Sequence, residues 1–260
     1  MTNNVPFHVV IPARYASTRL PKKPLLDIAG KPMVVWVVER ALQSGASSVV
    51  VATDHVEILQ AVKSYGYQAI MTREDHVSGT DRIAEVSEKL GFADDTIIVN
   101  VQGDEPLIHP ELIQDVASAL YKSQQAVMST ACHAIKDYAD FVNPNVVKVV
   151  MDYQGHALYF SRAPIPYPRD LMTATENAPS EIQAYRHVGI YAYRTQFLKA
   201  YANLHPASIE QLESLEQLRV LYQGYKIAVT VAASAPAPGV DTESDINHIR
   251  HLIKTNQIKM

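Results

Sequence analysis

Apolar and polar positions follow two rhythms in the first half of the chain. The runs "HVVIPA" (8–13), "SVVVAT" (48–53), "QAIMT" (68–72) and "TIIVNV" (96–101) are short and almost continuously apolar. Runs of this length, rich in β-branched residues, predict strands buried on both faces. Between them, "PMVVWVVERALQSG" (32–45), "VEILQAVKSYG" (56–66) and "SGTDRIAEVSEKLG" (78–91) are longer and amphipathic, which predicts helices. Pro32 suits a first helical turn and Gly45 a helix stop. Ser78 and Asp81 have capping-box spacing. A fourth helix is predicted from about Pro110 to Lys122.

Strand–helix units in series predict an α/β fold whose parallel sheet carries helices on both faces. Such sheets bind ligands beyond the C-terminal ends of their strands. The loops at 14–24, 54, 73–78 and 102–106 fall on that edge. After residue 125 the rhythm changes. "AVMSTACHAI" predicts a strand, and "VVKVVMDYQGHALYFSR" (146–162) two strands around a Gln154-Gly155 turn. The segment 163–181 is proline-rich and irregular. A strand at 184–194, helices over "TQFLKAYANL" and "SIEQLESLEQLRVLYQGY", strand "KIAVTVA" and a helix from about Thr242 complete the chain. The expected division is a nucleotide-binding core (1–132 and 200–260) with a sheet extension and smaller inserted lobe (133–199).

Composition narrows the function. The 260 residues are 47% hydrophobic and 19% charged, which supports a sizeable core and argues against disorder. A net charge of −4 disfavours a nucleic-acid partner, while a local basic patch on an acidic chain suits a small anion. One cysteine, Cys132, excludes an internal disulfide framework and reads as a core residue. The N-terminal residues do not resemble a signal peptide, and "MVVWVV" is too short to span a bilayer, so a soluble cytoplasmic protein without membrane insertion is expected.

The chemistry-bearing residues gather on the predicted edge. No G-x-G and no P-loop motif occurs. Instead, the loop after the first strand holds Arg14, Ser17, Arg19 and Lys23, a set suited to phosphates. Composition alone leaves a solvated loop equally open; the place after strand one favours the phosphate reading. In "NVQGDEP" (100–106), Asp104 can hold Mg²⁺ or cap a turn, and Gln102 can meet a polar ligand. Asp241 precedes Thr242 and Asp245, whose capping-box spacing explains the segment without any metal. Arg162, Arg186, His187, Tyr191, Glu216 and Gln217 have no spacing that selects them over surface charge or structural polar roles. His248 and His251 read as a solvated helix face.

The ordered motifs "IPARYASTRLP", "VATDH", "SGTDR", "VNVQGDEP", "NPN", "ALYFSRA", "GIYAYR", "LEQLR" and "VDT" resemble those of 3-deoxy-manno-octulosonate cytidylyltransferases, the CMP-KDO synthetase family, across essentially the whole chain. The resemblance implies a Rossmann-like nucleotidyltransferase fold with a mostly parallel twisted sheet. It also implies a Mg²⁺-dependent homodimer that transfers CMP from CTP to the acidic sugar KDO for lipopolysaccharide synthesis. By the same resemblance, Arg14 and Lys23 bind the CTP phosphates with Ser17 and Arg19 in support. Asp104 and Asp241 hold the metal and serve catalysis with Arg14 and Lys23; for the chemistry of the transfer itself, Asp104, directly or through the metal, is the candidate base. Gln102 lies between nucleotide and sugar. Arg73 and Ser78 serve the nucleoside end. Arg162, Arg186, His187, Tyr191, Glu216 and Gln217 line the sugar site.

The family commonly has glycine where this chain has Lys22, so either the loop does without a positive φ or its shape differs. Two other classes compete: a nucleotide-sugar glycosyltransferase, whose D-x-D "GDE" matches poorly, and a non-catalytic nucleotide-binding regulator. A sialic acid cytidylyltransferase is the nearest rival within the class.

Overall fold

The computed structural model describes residues 5–17, 20–76, 78–169, 183–237 and 239–255. Arg19 and most of the proline-rich segment lie outside them. The chain forms two compact units, 1–114 with 236–260, and 115–235.

In the first unit, β1 (His8–Ala13) leads through a short 3-10 turn at Lys23–Leu25 to the small hairpin β2 (Asp27–Ile28) and β3 (Lys31–Pro32). Then come α1 (Met33–Gln43), β4 (Ser48–Thr53), α2 (Val56–Ser64), β5 (Gln68–Met71), α3 (Gly79–Lys89), β6 (Ile97–Asn100) and the start of α4 (Pro110–Lys122). The strands lie in the order β6-β1-β4-β5, each pair parallel. Val9, Val10 and Ile11 are fully buried, and every residue of β6 is buried. Consecutive burial along a strand requires cover on both faces, as the apolar runs predict. Ser78 and Asp81 form the expected capping box at the head of α3.

In the second unit come β7 (Ala126–Ala134), α5 (Tyr138–Val142), β8 (Lys148–Met151), β9 (Ala157–Ser161), β10 (Tyr185–Arg194), α6 (Thr195–Tyr201), α7 (Ser208–Glu213), α8 (Gln217–Tyr222) and β11 (Lys226–Val231). β7 runs antiparallel to β10 and parallel to β11, while β8 pairs with β10 and β9 in antiparallel fashion. These pairings put residues 115–132 and 200–235 in the same unit as the predicted lobe. The single helix predicted over 208–225 is two, because Ser214 takes a left-handed conformation (φ 51°) between them.

The chain then returns to the first unit with α9 (Glu243–Lys254). Ile246 and Ile249 of this helix pack with Ile28, Met33, Trp36, Leu107 and Val240. Among the described residues no helix is long and apolar enough to cross a membrane.

Candidate active site

Two loops meet at the C-terminal end of β1. The first follows Ala13; the second is the Gln102–Asp104 turn after β6. Their approach depends on Gly103, where an added Cβ would stand 2.8 Å from the Pro12 carbonyl oxygen. The backbone N–H of Val240 donates to the carbonyl of Asp104 (2.8 Å), which draws the segment before α9 to the same place. Together these segments line a cavity of about 290 Å³. Arg14, Ser17, Lys23, Gln102, Asp104 and Asp241 all contribute to its wall.

Lys23 organises the cavity. Its Nζ donates to Asp104 Oδ2 (2.6 Å) and to Asp241 Oδ1 (3.0 Å). Two carboxylates from distant parts of the chain thus converge on one cation. Asp241 is not the helix cap. Thr242 Oγ1 accepts from the Asp245 N–H (3.2 Å), and Asp245 Oδ2 accepts from the N–H groups of Asp241 (2.9 Å) and Thr242 (2.8 Å). The capping box is complete without the Asp241 side chain, which instead faces Lys23. Next door, burial and then the charge of Asp104 push the Glu105 carboxyl up to about 8.

Lys22 keeps a left-handed backbone (φ 55°, ψ 31°). The backbone at this position therefore has the conformation a glycine would adopt, in spite of the lysine. The Lys22 side chain turns outward, pairs with Glu57 Oε2 (3.0 Å) and lies 5.2 Å from the centre of the Tyr15 ring. Ser17 Oγ accepts from the Leu20 N–H (3.3 Å) and so braces the loop from within.

Other expected residues fall elsewhere. Arg73 is exposed and donates to both Asp75 oxygens (2.8 and 2.6 Å). The Ser78 hydroxyl is engaged in its capping box. Neither lines the cavity around Lys23. His248 and His251 are exposed on α9, as a solvated face requires. Burial pushes the Cys132 thiol up to about 12, consistent with a core residue.

The candidate sugar residues belong to the second unit. β10 carries a bulge between Val188 and Tyr191, so that His187 pairs with Cys132 and Tyr191 with Thr130. Four steps along β10 then match two along β7, which brings the His187 and Tyr191 rings to 5.5 Å on one face. Thr130 Oγ1 donates to the Ile190 carbonyl (2.8 Å) and lies 2.9 Å from His187 Nε2. That arrangement assigns the proton to Nε2 and leaves Nδ1 as an acceptor. Burial holds the imidazole down at about 3, so it is neutral at pH 7. Burial, and then the neighbouring Tyr193 and Glu216, raise the Tyr191 phenol well above its usual range. Gln217, 5% exposed, has no hydrogen-bond partner for Nε2 among the described residues. Arg162 stands apart: its Nε donates to the Glu213 carbonyl (2.7 Å) and its Nη1 to that of Pro144 (3.0 Å). Arg186 pairs loosely with Asp140 (3.6 Å).

Sequence reasoning did not single out Lys148, Glu213 or Thr130. The Lys148 amine is fully buried and donates to the carbonyls of Asn143 (3.0 Å), Val146 (2.6 Å) and Arg162 (2.6 Å). Glu213 accepts from the Ser161 hydroxyl (2.6 Å) and the Arg162 N–H (2.9 Å). A charged residue inside the apolar run "VVKVV" was the available signal for Lys148.

Known proteins resemble this chain in sequence and fold. A family model described as cytidylyltransferase matches residues 8–227. A solved structure of CMP:2-keto-3-deoxy-manno-octonic acid synthetase complexed with CTP is 46% identical. The match covers 96% of this chain and 99% of that one, with a TM-score of 0.88. Likeness at that level extends to the Rossmann-like nucleotidyltransferase fold, as the resemblance of the motifs implied. The chain belongs to the cytidylyltransferase family.

Proposed function

We propose that this protein transfers CMP from CTP to the anomeric 2-hydroxyl of KDO and releases pyrophosphate. The observation that carries the reading is the convergence of Asp104 and Asp241 on Lys23 in a cavity also lined by Arg14 and Ser17. A cluster with both signs of charge suits a nucleotide that arrives with its metal. No group of three or more His, Cys, Asp or Glu stands together among the described residues. Two carboxylates are nevertheless a sufficient protein share for Mg²⁺, which takes its remaining ligands from phosphates and water. Asp104 and Asp241 would hold it, and when bound it neutralises phosphate charge and lowers the pKa of a nearby hydroxyl.

The chain's own residues do the rest. Arg14 offers a forked donor and Lys23 a compact charge to the triphosphate, and both offset charge that builds on the departing pyrophosphate. Arg19 and Ser17 support them, and Gln102 binds the nucleotide or the sugar from the same wall. In the second unit, the neutral His187 ring keeps Nδ1 as an acceptor for a sugar hydroxyl, and Tyr191, Glu216 and Gln217 serve the other hydroxyls. Arg162 and Arg186 provide cations for the sugar carboxylate. Asp104 is the candidate base. Arg73 and Ser78 are proposed for the nucleoside end. Positioning supplies much of the rate in such transfers. The same reading includes a cytoplasmic homodimer and a place in lipopolysaccharide synthesis.

Pyrophosphate release tests the proposal, with KDO and each nucleoside triphosphate, with Mg²⁺ or with EDTA. Release is expected only with CTP, KDO and Mg²⁺ together. No release from that mixture, or faster release with sialic acid in place of KDO, refutes it. Sedimentation at micromolar concentration checks the dimer.

A further inference from the structure

Arg82 is the largest fully buried side chain among the described residues, and the proposed reaction does not use it. It sits on α3 and reaches under the end of β4. Its Nη2 donates to Asp54 Oδ2 (2.9 Å), and its Nη1 donates to Thr72 Oγ1. Thr72 is itself fixed, through its N–H and hydroxyl, to the carbonyl of Thr53 (2.8 and 3.1 Å). The guanidinium is thus held on two sides, and it holds Asp54 in one orientation.

The other oxygen of Asp54 serves the phosphate loop. Oδ1 accepts from the backbone N–H of Tyr15 at 3.0 Å. The strand register makes this reach possible: Ala13 pairs with Thr53, so the residues that follow each strand leave side by side. Tyr15 is held twice more, by stacking on His55 (3.5 Å between ring centres) and by donation from its hydroxyl to Glu57 (3.0 Å). Those two contacts are at the surface. The Asp54 contact is the one backed by a buried charge.

Tyr15 directly follows Arg14. Fixing the N–H of Tyr15 fixes the peptide plane through which Arg14 leaves β1, the backbone from which its side chain starts. Asp54 thus divides its oxygens, Oδ2 for the arginine and Oδ1 for the loop. We infer that Arg82 is a positioning residue for the nucleotide: through Asp54 it locks the Arg14–Tyr15 peptide and sets the phosphate loop in its binding shape. The inference rests on the cytidylyltransferase reading for the identity of the ligand, CTP.

A single substitution would strand a buried charge and could unfold the protein. Two double variants avoid this: Arg82→Met with Asp54→Asn, and Arg82→Met with Asp54→Leu. Both remove the buried pair. The first retains an oxygen that can accept from Tyr15, and the second does not. Three quantities are read: CTP affinity by calorimetry, the KM for KDO, and exchange of the Tyr15 amide hydrogen by NMR. The Leu variant is expected to bind CTP about tenfold more weakly than the Asn variant, the loss expected for one anchoring hydrogen bond. The Asn variant itself binds more weakly than the parent, because its amide is no longer oriented. Tyr15 exchange should accelerate in the Leu variant, and the KM for KDO should stay level in both. Equal CTP affinity in the two variants, or a matching rise in the KM for KDO, would overturn the inference and leave Arg82 a purely structural residue. If the Leu variant fails to melt cooperatively, Asp54→Ala with Arg82→Met replaces it under the same criteria. Should the parent protein release no pyrophosphate from CTP and KDO, the functional reading fails by itself. Tyr15 exchange still decides whether Arg82 and Asp54 lock the loop.

Discussion

Lys22 and Lys23 are neighbours with opposite tasks. Lys23 turns inward to two aspartates, and Lys22 turns outward to Glu57 from a strained backbone. Glycine at position 22 would relieve the left-handed conformation but lose the exposed ion pair, and the two effects oppose each other. Lys22→Gly is therefore expected to leave kcat/KM within about twofold. Lys23→Met should lower kcat about a hundredfold or more, the usual cost of removing a donor to developing charge. Asp241→Asn should likewise reduce kcat by orders of magnitude with an unchanged Tm. Asp245→Ala should do the reverse, lowering Tm by a few degrees through the lost cap while activity persists. Steady-state pyrophosphate assays beside thermal melts separate these outcomes. The sequence made the loop legible as a basic patch after a strand. It did not make Lys23's partners legible, because Asp104 and Asp241 come from segments 81 and 218 residues away.

At the scale of elements, most strands and helices were legible because their apolar periods are clean. The break at Ser214 was not: "SIEQLESLEQLR" keeps a helical period through it, and only the backbone conformation reveals two helices. The β10 bulge was equally hidden, since two extra residues in a strand leave no mark on an apolar run. Without it His187 and Tyr191 would be four steps apart on the strand's partner rather than two. The turn at Gly103 is the element on which the cavity depends. Gly103→Ala would drive a methyl group to within 2.8 Å of a backbone oxygen, and the loop must move away. Overpacking of this kind costs about 1–3 kcal/mol. Urea denaturation should show that loss, together with a fall in kcat from displacement of Asp104.

At the scale of the whole molecule, acid sensitivity has an identifiable source. The His187 ring is held at about 3 by burial, below the usual 6.5 of the free side chain. A depressed pKa of this kind contributes stability that is present above pH 6.5 and lost progressively as pH falls toward 3. Urea denaturation of His187→Gln across pH 7 to 4 should show a shallower decline than the parent. An identical slope would exclude His187 as a source of the effect. The α/β architecture was legible from the sequence, whereas contacts alone group β7 and β11 with the inserted region, because pairing partners cannot be read from apolar runs.

The first unit is made from two pieces that flank a long intervening segment, 115–235. A ribosome adds about 5–20 residues per second, so on the order of ten seconds separates the two pieces during synthesis. Throughout that interval the apolar faces of Ile28, Met33, Trp36 and Leu107 lack their Ile246 and Ile249 neighbours, and Lys23 has only one of its two carboxylates. The nascent chain therefore carries a half-covered core and half a site. Both are completed by the same late arrival, so an interrupted translation product will be recognisable by its stickiness before it could ever be recognised by its lack of activity.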